Sequence, residues 1–200
     1  MRRALFTINS VIAWLAIGLD TVLTASVDIV NYFTTWSVVL VALTTAMLAR
    51  GSSTTWRRLP WLRNTSLVMI TVTGVVQAIL LAPEEHLLGW AKVADVLEHQ
   101  VTPVLTLVLW LVLGPRGWLS LRAIVSSLLI PLIWIAYTMI HGAITGVYPY
   151  DFIDPNINGY GDVAATLVEI LIFGIAVGFV LWGIDRLLLR RLTNHASAGE

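Results

Sequence analysis

The chain has 200 residues, 58% of them apolar and only 12% charged, with a formal net charge of zero and a mean hydropathy of +0.83. So few charges exclude an ordinary soluble domain of this size. The absence of cysteine excludes disulfides and thiol chemistry.

The apolar runs predict six membrane-spanning helices at about 4–26, 32–49, 64–82, 96–114, 119–140 and 162–185. Each approaches the roughly 20 residues that cross a bilayer. They use nearly the whole chain, which reads as one all-α transmembrane domain over residues 1–200. The first run is too long for a signal peptide and contains Asp20, so it is read as a span. Of the 12 basic residues, 11 fall before span one, after span six, or between spans two and three or four and five; only Lys92 lies opposite. The positive-inside rule then predicts cytoplasmic N and C termini. The other side carries Asp28, Glu84, Glu85, Asp151 and Asp154.

In lipid, polar side chains turn toward the bundle or a wet cavity. Taken at helical spacing, span one aligns Asn9, Ala13, Ala16, Asp20 and Thr24. Span two aligns Thr34, Ser37, Val41 and Thr44, and span three Ser66, Ile70, Thr73 and Gln77. Span four aligns Asp95, His99, Thr102 and Thr106. Span five aligns Ser127, Pro131, Trp134, Thr138 and His141, and span six Asp162, Thr166 and Glu169. Most of the hydroxyls read as backbone or interhelical hydrogen bonds. Asp20, Gln77 and Glu169 are expected as buried polar groups. Gly174 and Gly178 read as a close-packing pair. Trp56, Trp61, Trp90 and Trp118 read as interfacial belt residues.

His99 stands out. Pro103, four residues on, has no N–H to offer the His99 carbonyl, so the helix is expected to bend there. Such a defect survives in a membrane only where protein or cavity water satisfies the freed group. Asp95, one turn before His99, is the candidate orienter of the imidazole; Glu98 is expected to point about 100° away. Pro131 frees the Ser127 carbonyl in the same way, with no titratable neighbour. Thr34, His99 and His141 fall at one depth, beside a loop from Gly142 to Gly161 that carries two prolines and several aromatic residues. That loop reads as a folded cap.

Three segments carry a resemblance: Phe33-Thr34 opening span two, Leu97-Glu98-His99 opening span four, and His141 followed by Tyr148-Pro149 and Phe152. In order and spacing they resemble the androgen-induced and androgen-dependent membrane protein family, whose animal members are threonine-dependent lipid hydrolases. The resemblance implies a bacterial six-span homologue with Thr34 as nucleophile and His99 as base. The implied substrates are lipid esters, such as fatty acid esters of hydroxy fatty acids. Two positions depart from the family: Glu98 stands where its members have Asn, and Gln100, Val101 and Thr102 stand where a second His follows.

The chemistry is sound without the family. A threonine hydroxyl needs a base to take its proton, and a neutral imidazole suits that near pH 7. Attack on an ester carbonyl would give an acyl-threonine. Asn31, Ser37, Gln100, Trp134, His141 and Tyr148 are the candidate pocket and oxyanion residues. Thr35 competes with Thr34 but leaves the stripe shared with Ser37. The expected setting is the bacterial inner membrane, with the site toward the outer leaflet. The four histidines lack metal-ligand spacing and no glycine-rich phosphate loop is present, so no metal or cofactor is expected. The only partners expected are lipids; nothing suggests nucleic acid, and oligomeric state is not readable. The alternatives are a small proton-coupled transporter, drawing on Asp20, Gln77 and Glu169, or a non-catalytic lipid-binding protein.

Overall fold

The computed structural model describes residues 1–24, 28–51, 60–81 and 87–197. Trp56, Arg57, Arg58, Glu84, Glu85 and His86 lie outside them. The described chain is all-helical, with six helices long and apolar enough to cross a membrane: α1 (Arg2–Thr24), α2 (Phe33–Arg50), α3 (Pro60–Leu81), α4 (Gly89–Leu113), α5 (Leu121–Thr145) and α6 (Pro155–Ser197).

The expected starts of α4 and α6 were seven residues late. The segment before Asp95, Gly-Trp-Ala-Lys-Val-Ala, is already helical. Pro155 opens α6, and Gly159 (φ 79°) kinks it before the apolar run begins. The cap therefore shrinks from the expected 142–161 to the nine residues 146–154. Gly146 closes α5 in the left-handed conformation, its N–H bonding the Gly142 carbonyl at 2.8 Å.

The polar stripes of α1–α4 face inward and find one another. Asn9 Nδ2 donates to Thr106 Oγ1 (3.0 Å), and Ser10 Oγ to the Ala42 carbonyl (2.8 Å). Thr44 Oγ1 donates to Ser66 Oγ (3.1 Å), and Thr73 Oγ1 to Ser37 Oγ (2.8 Å). These tie α1 to α4 and α2, and α2 to α3. Such bonds are individually modest in a membrane, on the order of 0.6 kcal/mol, but each polar pair fixes a rotation of its helix. At the arginine-rich end, the α4–α5 connection is held by Asp185 Oδ2, which accepts from the Gly117 N–H at 2.8 Å. The Gly174–Gly178 pair packs within the chain. A Cβ at Gly178 would meet Ile124 Cγ2 at 2.9 Å.

Both proline sites disturb their helices. α5 breaks at Leu128, three residues before Pro131. In α4 the defect takes a different form from a bend: residues Leu97–Val101 wind as a wide π turn, in which the Thr102 N–H reaches back five residues to the Leu97 carbonyl. The opposing end of α3, Gln77–Leu81, winds the same way. The two helices touch just below, where Gly74 faces Pro103. A Cβ there would lie 3.1 Å from the Pro103 Cβ and 3.3 Å from the His99 carbonyl oxygen.

Gly74→Leu is therefore expected to drive the two helices apart at a cost of about 1–3 kcal/mol. Its thermal unfolding in detergent should fall below wild type, while Gly161→Ala, where a Cβ meets nothing within 4 Å, should unfold with wild type. Equal unfolding temperatures for all three would refute the contact.

Candidate active site

Thr34, His99 and Asp95 form one hydrogen-bonded chain across α2 and α4. Thr34 Oγ1 lies 3.0 Å from His99 Nε2. His99 Nδ1 lies 2.8 Å from Asp95 Oδ1 and 3.2 Å from the Asp95 carbonyl. An oxygen acceptor at Nδ1 puts the ring proton there, which leaves Nε2 with a lone pair toward the threonine hydroxyl. The buried Asp95 carboxylate is held from two further directions. Gln77 Nε2 donates to Oδ1 at 3.1 Å, and Lys92 Nζ lies 2.5 Å from Oδ2. A carboxylate taken out of water needs such company.

Thr34 is available to the imidazole because of its place in α2. Nine other threonines, among them Thr44, Thr45, Thr65, Thr71 and Thr106, donate to the carbonyl four residues back. Thr34 is the second residue of its helix, after the extended N-cap Tyr32, so no carbonyl of its own helix stands behind it. Even the carbonyl of Val30 is taken, by Trp36 Nε1 at 2.8 Å. Thr35 is occupied, its hydroxyl donating to the Ile29 carbonyl at 2.6 Å. Of the two adjacent threonines, the structure brings Thr34 to His99.

The cap supplies a fourth group. The Tyr150 phenol oxygen accepts the Phe33 N–H at 3.1 Å, one residue before Thr34, and Tyr150 shares both chamber walls with Thr34. Burial pushes this phenol up to about 12, so it keeps its proton and stays a donor. Ile153 anchors the cap in an apolar cluster with Trp134 and Val163. The Tyr150 ring packs edge-on against Tyr32 (centroids 5.5 Å) and stacks on Phe152 (5.1 Å).

Two chambers meet at this point. One runs between α2, α3, α5 and α6 and is walled almost wholly by aliphatic and aromatic side chains, including Val72, Trp134, Ile135 and Ile170. The other opens at the cap end and is lined by Asp20, Asp95, Glu98 and Asp151 among others. Thr34, Gln77, His99 and Tyr150 belong to both walls.

The remaining candidates divide. Trp134 lines the apolar chamber and donates from Nε1 to the Asn31 carbonyl at 2.9 Å. Asn31, expected in the pocket, is structural instead. Its Oδ1 accepts from Tyr137 at 2.7 Å, and it lines neither chamber. Ser37 donates to the Phe33 carbonyl and accepts from Thr73, a helix–helix role. Gln100 is exposed, because the π turn carries it to the outer face. His141 stacks on Tyr137 (5.8 Å) away from the chambers. Tyr148 lies over Gly142, and Tyr150, two residues on, takes the place expected for it. Asp20, expected deep, sits near the cap end of α1, half-buried in the polar chamber. Glu169, expected in the bundle, is exposed; α6 turns Val163, Leu167, Ile170 and Gly174 inward instead.

Gln77 was legible as a buried polar group but not as the support of Asp95. Lys92 read as a lone outer cation, although its three-residue spacing from Asp95 could have paired them. No family model, curated protein or solved structure matches the chain.

In ¹⁵N-imidazole spectra of the neutral ring, His99 should carry its proton on Nδ1 with Nε2 bare. Asp95→Ala should mix the two tautomers. A wild-type ring protonated at Nε2 would contradict the Thr34–His99–Asp95 order.

Proposed function

We propose that this protein is an intramembrane hydrolase of lipid esters, using Thr34 as nucleophile and His99 as general base. The observation that carries the reading is the Asp95–His99–Thr34 chain standing where an apolar chamber meets a polar one. A hydroxyl, a base and an orienting carboxylate in sequence are the parts that nucleophilic acyl transfer needs. A lipid ester is itself divided as the two chambers are.

The acyl chain lies in the apolar chamber, with its carbonyl carbon at Thr34. Thr34 Oγ1 attacks that carbon while its proton passes to His99 Nε2. The Asp95 carboxylate steadies the imidazolium that forms. The carbonyl oxygen becomes an oxyanion, and the Tyr150 O–H is the donor nearest to it. The carbonyl re-forms, the C–O bond to the alcohol breaks, and the leaving oxygen takes the proton from His99. This gives a free alcohol and an acyl-threonine. Water entering from the polar chamber repeats the steps: His99 takes its proton, the hydroxide oxygen bonds to the acyl carbon, and Thr34 leaves with that proton as the fatty acid departs.

The motif resemblance supports the same assignment. The basic residues gathered at the end opposite the cap support cytoplasmic termini in a bacterial plasma membrane, with the site toward the outer leaflet. Transport has less to draw on, since Asp20 and Gln77 share the cap-end chamber while Glu169 lies on the exposed face of α6.

In lipid micelles, Thr34→Ala and His99→Ala should each lower kcat on a lipid ester by at least about a thousandfold. Asp95→Asn should cost about a hundredfold or more by misplacing the ring proton. Tyr150→Phe should cost about a hundredfold as a lost oxyanion donor. Thr34→Ser keeps the hydroxyl but frees χ1, so a loss of about tenfold is expected. Full activity in both Thr34→Ala and His99→Ala would end the proposal.

A further inference from the structure

Glu98 is 6% exposed, lines the polar chamber, and makes no side-chain hydrogen bond or ion pair with any described residue. That sets it apart from Asp95 in the same chamber, whose oxygens are engaged by His99, Gln77 and Lys92. The π turn accounts for its direction. Within Leu97–Val101 the widened helix brings Glu98 to the chamber along with His99, although one ordinary helical step would turn it about 100° aside. A buried carboxylate with open lone pairs is costly, and an ionisable side chain held at such a place in a membrane protein marks a site.

Across the chamber, α1 contributes Asp20, half-buried and with no side-chain hydrogen bond to a described residue. Asp151 joins the rim from the cap. None of the described residues lining this chamber is Lys or Arg. Lys92, the nearby cation, is committed to Asp95. Two carboxylates from different helices thus face one space with no Lys or Arg among its described lining residues. A metal ion is a poor guest, because among the described residues no three His, Asp or Glu side chains are grouped to hold one. The chamber is wide, and the rings of Tyr32, Tyr150 and Phe152 share its wall. Carboxylates combined with aromatic faces suit an organic ammonium group, which gains from both.

We infer that Glu98 and Asp20 form a subsite for an ammonium group on the alcohol portion of the ester, so that the preferred substrates are cationic lipid esters. This rests on the hydrolase reading above. It also sets this chain against esters whose alcohol portion carries a free carboxylate, since that group would enter a chamber of like charge without a compensating cation.

The test uses the full chain in lipid micelles and three esters of one acyl chain. Their alcohol portions end in trimethylammonium, hydroxyl or carboxylate at the same distance from the ester. Wild type is expected to favour the ammonium ester over the hydroxyl ester by about tenfold in kcat/KM, with the carboxylate ester slowest. Glu98→Gln should bring the ammonium-to-hydroxyl ratio down to within about threefold of unity, and adding Asp20→Asn should abolish what remains. Hydrolysis without an ammonium preference, or a preference that survives in the double variant, overturns the subsite. Binding of an alkyl-trimethylammonium, followed by tryptophan fluorescence, reads the subsite without turnover and should weaken about tenfold in Glu98→Gln. If wild type hydrolyses none of the esters, the hydrolase reading falls and this binding measurement alone decides the subsite; equal affinity in both proteins overturns it.

Discussion

An imidazole inside a membrane protein acts as a base only if its second nitrogen is held, and here the hold on His99 Nδ1 comes from the Asp95 carboxylate at 2.8 Å. In water such a bond would be one of many that the ring samples. In a site screened by six apolar helices there are few alternatives, so a single well-supported acceptor fixes both tautomer and orientation. The support runs outward from Asp95 to Gln77 on α3 and Lys92 one turn earlier on α4. Two opposed π turns bring these groups into register. The site therefore depends on the α3–α4 contact at Gly74 and Pro103 as much as on the residues that would touch substrate.

Where α2 begins matters as much. Inside a helix, a threonine hydroxyl has a carbonyl waiting four residues back, and nine of the described threonines use it. Only in the first turn is the acceptor missing. The Tyr150 phenol takes the Phe33 N–H, so the cap serves the same helix end as an N-cap side chain would. Thr34 is thus both freed and fixed, and χ1 of a β-branched residue leaves it little room to turn away.

The sequence made the membrane architecture legible because twenty-residue apolar runs leave little choice of structure. The polar-faces-inward rule worked for α1 to α4, where hydroxyls and amides meet one another. It failed for α6, because that helix walls an apolar chamber: Val163, Leu167 and Ile170 face in, and Glu169 is left outside. Depth placed Thr34, His99 and His141 in one layer, and the family resemblance singled out the pairing of Thr34 with His99. Gln77 and Lys92 were not readable as partners of Asp95, since nothing local tells which of several buried polar groups will meet. The cap was the least legible part. Tyr148 and Tyr150 flank one proline, and only the packing of Ile153 beneath the cap decides which phenol enters the site.

On the proposed hydrolase reading, the two chambers give water one route to an acyl-threonine. The apolar chamber, which the acyl chain would fill, has few polar groups along its wall beyond those it shares with the polar chamber. The polar chamber reaches Thr34 and His99 directly, past Asp95 and Glu98. After the alcohol leaves, the space it vacates is therefore the wet one, and it lies on the side where Nε2 can accept a proton. On that reading the departing fatty acid would form beside the acidic side chains of Asp95 and Glu98. Coulomb repulsion at short range would then favour its release over rebinding. One distribution of charge, cation-poor at the cap end and apolar below it, would thus admit water, orient the ester and expel the acid.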